Sequence, residues 1–139
     1  MLLHASCVAI GGRAVLLTGS PGAGKSDLAL RLIDSGGQLV ADDQTMLQRE
    51  KDTLLASPPS AIAGMIEIRH IGLIKMAFVE SIPVALYVEL TPLHATIERL
   101  PEPDSVFLLD HPVQRLRLPG FAASTPAKIR AALLYPKVQ

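Results

Sequence analysis

The sequence predicts an α/β protein, and three observations predict it. Apolar, β-prone runs lie both before and after an amphipathic helical segment in the first third of the chain. A glycine-rich loop stands where a strand passes into that helix. The 139 residues, 49% of them hydrophobic, suffice for one domain, 1–139, that buries roughly two-thirds of its unfolded surface.

Each element can be justified in order. Leu3 to Ile10 is apolar and β-compatible, Gly11-Gly12 has hairpin-turn chemistry, and Ala14 to Thr18 reads as a buried second strand. From Lys25 to Asp34, Leu28, Ala29, Leu32 and Ile33 recur at helical spacing, and Ser35-Gly36-Gly37 supplies the stop. Gln38 to Ala41 is a short strand that delivers Asp42 and Asp43 at its carboxyl end, where ligands usually bind in α/β sheets. Met46 to Leu55 suggests a strand pair turning near Glu50-Lys51-Asp52, followed by a loop at Ser57-Pro58-Pro59-Ser60. Ile66 to Ile68 and Gly72 to Phe78 read as strands around a kink at His70, and Val84 to Leu90 is strongly β-prone. Thr91-Pro92 carries helix-opening chemistry and predicts a short helix to Leu100. Val106 to Leu109 reads as a last short strand, and the proline-punctuated stretch from His111 to Pro119 should be mostly extended. Ser124-Thr125-Pro126 opens a terminal helix reaching about Leu134.

Thirteen Lys plus Arg balance thirteen Asp plus Glu, so charge points to neither nucleic acid nor an anionic membrane as a partner. The single cysteine, Cys7, cannot form an internal disulfide, which suits a buried thiol in a reducing cytoplasm. The apolar start is broken by His4 and by Gly11-Gly12-Arg13, and it lacks a basic leader and a small-residue cleavage site, so no signal peptide is expected. No apolar run approaches the ~18 to 20 residues of a spanning helix, and the expectation is a soluble protein.

The chemistry centres on Gly19-Ser20-Pro21-Gly22-Ala23-Gly24-Lys25-Ser26, which matches G-x-x-x-x-G-K-[ST] without a mismatch. In such a loop the glycines let backbone N–H groups turn toward phosphate oxygens, and the helix amino end adds partial positive charge. Lys25 is expected to neutralise the β and γ phosphates of a nucleotide and Ser26 to bind Mg²⁺ through its hydroxyl. The metal also needs a carboxylate, and Asp42-Asp43, Glu67 and Glu89 are the candidates. Asp42-Asp43 has the best claim, because two adjacent carboxylates at a strand end repel unless a cation sits there. Glu89 reads as a solvated strand position.

These residues resemble the catalytic C-terminal domain of HPr kinase/phosphorylase. His4 stands where that family carries an H-G motif, although Ala5 follows it here; Thr18 to Ser26 resembles I-T-G-x-S-G-x-G-K-S; Leu39-Val40-Ala41-Asp42-Asp43 resembles L-V-A-D-D. Ile66-Glu67-Ile68-Arg69-His70-Ile71-Gly72-Leu73-Ile74 resembles E-I-R-G-x-G-I-I, with His70 for the first glycine. The resemblance implies a mixed sheet with flanking helices like that of phosphoenolpyruvate carboxykinase, and ATP- and Mg²⁺-dependent transfer to a serine of HPr or a nitrogen-related paralogue. It further implies Asp43 as proton acceptor, His4 assisting near the phosphates, Ser26, Asp42 and Glu67 holding magnesium, and hexameric assembly. The family's N-terminal domain is not in this sequence, and its F-G-x-G-A-V-R segment has no counterpart between Lys75 and Pro83. Its V-P-V-R-P-G-R-N loop, tied to dephosphorylation, is reduced to Leu116-Arg117-Leu118-Pro119-Gly120, which leaves Arg117 as its heir and predicts kinase activity with weak or no phosphorolysis.

Three rival readings compete with this one. A small-molecule P-loop kinase generally needs a longer chain for an arginine-bearing lid, and no such insertion is apparent. A GTPase needs an N-K-x-D motif, and the chain contains no asparagine. A regulatory module that binds ATP without transferring it would fit His70, Lys75 and the missing arginine segment.

Overall fold

The computed structural model describes residues 1–92 and 94–138. The strands are β1 (Leu2–Leu3), β2 (Ser6–Ile10), β3 (Arg13–Thr18), β4 (Gln38–Ala41), β5 (Thr45–Glu50), β6 (Thr53–Ser57), β7 (Met65–Ile68), β8 (Gly72–Lys75), β9 (Ile82–Thr91), β10 (Ser105–Leu108) and β11 (His111–Pro119). Among the described residues two α-helices accompany them, α1 (Lys25–Asp34) and α2 (Thr125–Leu134), with one short 3-10 turn at Ser60–Ile62. The main sheet runs β1-β5-β6-β9-β3-β2-β4, and β11, carrying β10, pairs with β9 as well. Pairings β3–β9 and β9–β11 are parallel and the others antiparallel, so the sheet is mixed as expected. Strands β7 and β8 form a separate hairpin.

Alternation along β2 and β3 divides the core. Val8 and Ile10 with Val15 and Leu17 face α1 and α2, meeting Leu28, Leu32 and Ile129. Cys7 and Ala9 with Ala14 and Leu16 face the other way, meeting Leu47 and Leu54 from β5 and β6 and Leu108 and Val113 from β10 and β11. Strands β6 and β11 each pair with β9, and the pairs β5–β6 and β10–β11 contribute to that cluster together. The Arg49 guanidinium donates to the Leu109 carbonyl (2.9 Å), and His111 Nε2 donates to the Asp52 carbonyl (2.8 Å), tying the β5–β6 turn to the β10–β11 turn. Both faces of β2 and β3 are therefore dry, which explains their nearly uninterrupted apolar runs.

Helix α1 spans the expected residues. The Gly36 and Gly37 amides close on the carbonyls of Ile33 and Leu32, and Arg130 of α2 donates to the Leu32 carbonyl at 3.0 Å, placing a cation at the negative end of α1. Helix α2 also matches its expected start and end.

Three expectations are corrected. The first strand is broken at His4–Ala5, because the chain there leaves β5 (Leu2↔Met46, Leu3↔Thr45) and takes up β3 and β4 as partners. The strand from Gly72 ends at Lys75, and Phe78 makes a single bridge to Leu39. The helix from Thr91 to Leu100 is absent among the described residues. Thr91 finishes β9 in register with Pro119, and residues 94–100 are mostly exposed; Leu93 lies outside the described residues. Local capping chemistry there found no surface on which to bury an apolar stripe, and a short helix without packing is marginal in water.

Candidate functional site

Strand β3 ends at Thr18, and the chain turns through Gly19–Gly24 before α1 begins at Lys25. Gly24 occupies the N-cap position in the left-handed region (φ 104°), which a residue with Cβ adopts only under strain, and no side chain caps the helix. The first N–H groups of α1 are thus left to whatever lies in front of the loop. Lys25 Nζ donates to the carbonyls of Gly19 (2.8 Å) and Ser20 (3.3 Å), which holds the ammonium against the loop's own backbone.

The carboxylate of Asp42, just past β4, joins four segments. Its Oδ1 accepts from Ser26 Oγ (2.6 Å) and Ser6 Oγ (2.9 Å), and its Oδ2 accepts from the Glu67 amide (3.0 Å). Ser6 in turn accepts from the Asp43 amide at 3.1 Å. Asp42 is buried, and every one of these donors is neutral. Asp43 differs: it is exposed, its φ is 67°, and the Gln44 amide donates back to the Asp42 carbonyl at 2.7 Å, a three-residue turn of the rarer, strained form. Its carboxylate has no hydrogen-bond partner among the described residues.

Asp43 lines a cavity of about 340 Å³ together with Gly24, Lys25, Ser26, Glu67 and Arg69, and with Pro21, Gly22, Asp27, Leu30, Ile68, His70 and Phe121. A larger depression of about 830 Å³ at the β5–β6 turn involves only Glu50–Thr53 and Leu55, a hairpin tip remote from the loop. The smaller cavity is the candidate site because the converging polar groups are there.

Ser26 therefore bonds Asp42 through its hydroxyl and Glu67 bonds it through its backbone amide, while Ser26, Asp43 and Glu67 line the cavity with the glycine-rich loop. Among the described residues no group of three or more His, Cys, Asp or Glu side chains converges closely enough to hold a metal by itself. His4 is exposed in the bend between β1 and β2 and does not line the cavity. Arg117 lies outside the cavity as well, with its Nε donating to Glu89 Oε2 at 3.3 Å. Glu89, read as a solvated strand position, lies in β9 with 39% of its side chain exposed and is the register partner of that arginine.

Sequence reasoning gave no role to Ser6, Arg69 or Phe121. Arg69 lay inside a block already singled out by its resemblance, so its neighbour Glu67 was the available signal. Ser6 meets Asp42 across 36 residues, and Phe121 meets Gly24 across a longer interval, so no local pattern marks either.

Residues 1–129 match the family described as the HPr Serine kinase C-terminal domain. An HPr kinase/phosphorylase of Listeria welshimeri is 44% identical over 75 residues, which cover 53% of this chain and 24% of that protein. One from Clostridium botulinum is 42% identical over 74 residues, covering 53% of this chain and 24% of the relative. The chain thus spans about a quarter of the length of these curated relatives. The solved Hpr(Ser) kinase/phosphatase from Coxiella burnetii superposes with a TM-score of 0.84 at 30% identity, over 96% of this chain and 88% of that one. The chain belongs to the HPr serine kinase C-terminal domain family.

Proposed function

We propose that the chain is an ATP- and Mg²⁺-dependent protein serine kinase that transfers the γ-phosphoryl group to a serine of HPr or of a nitrogen-related paralogue, with weak or no phosphorolysis, in the cytoplasm. The observation that carries this reading is the 2.6 Å bond from Ser26 to Asp42, which joins the glycine-rich loop to the carboxylates at the end of β4. Family membership and the similarity to HPr kinases support it.

The residues present suit magnesium. Ser26, Asp42 and Glu67 offer only oxygen donors, and Mg²⁺ is usually held by one or two carboxylates with phosphate oxygens and water. Bound there, the ion would neutralise charge on the transferring phosphoryl group. Lys25 exchanges the Gly19 carbonyl for phosphate oxygens, and the uncapped amides of α1 face the same anion. As the serine oxygen bonds to the γ phosphorus and the bond to the β-phosphate oxygen breaks, Asp43 accepts the serine proton. His4, outside the cavity, receives no step.

A protein acceptor is favoured by the β7–β8 hairpin, whose Arg69 and His70 line the cavity. Ile71 and Leu73 beside them are 72% and 67% exposed, an apolar rim next to the reacting groups. Hexameric assembly remains part of the proposal and is checked by light scattering of the purified chain.

The test is transfer from labelled ATP and Mg²⁺ to purified HPr, alongside Lys25→Ala enzyme and HPr lacking its regulatory serine. Label on HPr that disappears in both controls is the expected result. Tight ATP binding without transfer would favour a nucleotide-binding regulator. Rapid pyrophosphate release from phosphorylated HPr and inorganic phosphate would contradict weak phosphorolysis.

A further inference from the structure

One large side chain in the cavity has no part in phosphoryl transfer. Phe121 follows β11, is 50% exposed, and belongs to neither core cluster. The far end of its ring abuts Gly24: a Cβ placed there would meet the ring atoms at 3.0 to 3.3 Å, so glycine leaves the ring room against the loop.

The backbone on either side of Phe121 is fastened. Gly120 packs so closely on the Ala23 carbonyl that a Cβ at Gly120 would lie 2.0 Å from that oxygen. Arg31, in the last turn of α1, donates to the carbonyls of both Gly120 and Ala122, the latter at 3.2 Å, while Asp27 accepts from its Nε at 3.0 Å. Thr125 Oγ1 donates to the Pro119 carbonyl at 2.5 Å. An exposed aromatic ring held this firmly beside a cavity is organised to contact something.

The cavity has two chemical characters. Lys25, Ser26, Asp43, Glu67 and Arg69 bring charge and polar groups to its lining, and Pro21, Leu30, Ile68 and Phe121 bring apolar surface. A nucleotide is divided likewise, into a polyanion and a flat, weakly polar base, and aromatic rings bind bases by stacking.

We propose that Phe121 receives the nucleoside part of the bound nucleotide and so makes the site prefer a nucleotide over a bare polyphosphate. The inference rests on the nucleotide-binding reading above and assigns the discrimination to one side chain.

Calorimetric titration with ADP and with pyrophosphate, both with Mg²⁺, tests it on the wild type, Phe121→Ala and Phe121→Trp. The expected result is a loss of roughly tenfold in ADP affinity for Phe121→Ala, an unchanged pyrophosphate affinity, and near-normal ADP affinity for Phe121→Trp. The chain has no tryptophan, so Phe121→Trp is also a reporter whose fluorescence should respond to ADP and not to pyrophosphate. Equal losses for both ligands would overturn the proposal, because Phe121 would then merely support the loop. An unchanged ADP affinity would overturn it too. A wild type that binds pyrophosphate and not ADP overturns the proposal while the anion site stands, and one that binds neither overturns the nucleotide reading itself.

Discussion

Asp42 and Asp43 are neighbours in the chain and opposites in surroundings. Asp42 is buried, and three neutral donors from β2, α1 and β7 converge on it. Asp43 is exposed, strained and without a partner, facing a cavity. The first arrangement fixes distances between elements, and the second leaves a carboxylate available to a substrate. One carboxylate thus ties the site's elements together while the other, in the proposed mechanism, meets the substrate, and their surroundings diverge at the turn between them.

The sharpest way to break this comparison is Asp42→Asn. The amide can still accept on one side, but its NH₂ would meet the Glu67 amide, donor against donor, or else the two serines. A loss of about 2 to 3 kcal/mol in urea unfolding is expected from the unsatisfied buried groups, together with loss of transfer. Wild-type stability in this variant would show that Asp42 does not organise the site.

Asp43→Asn should do the reverse. Asparagine tolerates a positive φ as aspartate does, so stability should stay within about 0.5 kcal/mol. Transfer should fall by roughly 10² to 10⁴ with ATP affinity retained, the signature of a lost proton acceptor. Turnover close to wild type would place the base elsewhere.

The contrast between these two residues was half legible. The loop, α1 and β4 follow from local grammar, namely glycines, a helical apolar period and a strand before two carboxylates, and the structure keeps their bounds. Nothing local distinguishes Asp42 from Asp43, because the difference is made by Ser6 and Glu67, 36 and 25 residues away. The failed helix at 91–100 teaches the same lesson from the other side: its Thr-Pro start is local and correct in kind, but β9 claims Thr91 through pairing with β11.

A third carboxylate supplies the mildest test. Asp104 accepts from Arg115 Nε at 2.7 Å and from the Ser105 amide at 2.9 Å, with 38% of its side chain exposed. The Arg115 hydrogen bond, outweighing partial burial, holds its carboxyl below the usual carboxylate range of roughly 3.9. A folded-state value below the unfolded one means that the pair stabilises above the unfolded value and that this contribution fades as pH falls through the folded value. Asp104→Asn should therefore lower the urea midpoint slightly at pH 7, and the gap to wild type should narrow as pH falls below the usual carboxylate value of about 3.9. Asparagine keeps an acceptor for the Ser105 amide, so a gap that does not narrow in acid would overturn the charge account. In contrast to Asp42, whose donors are neutral, the Asp104 pair should also weaken with added salt.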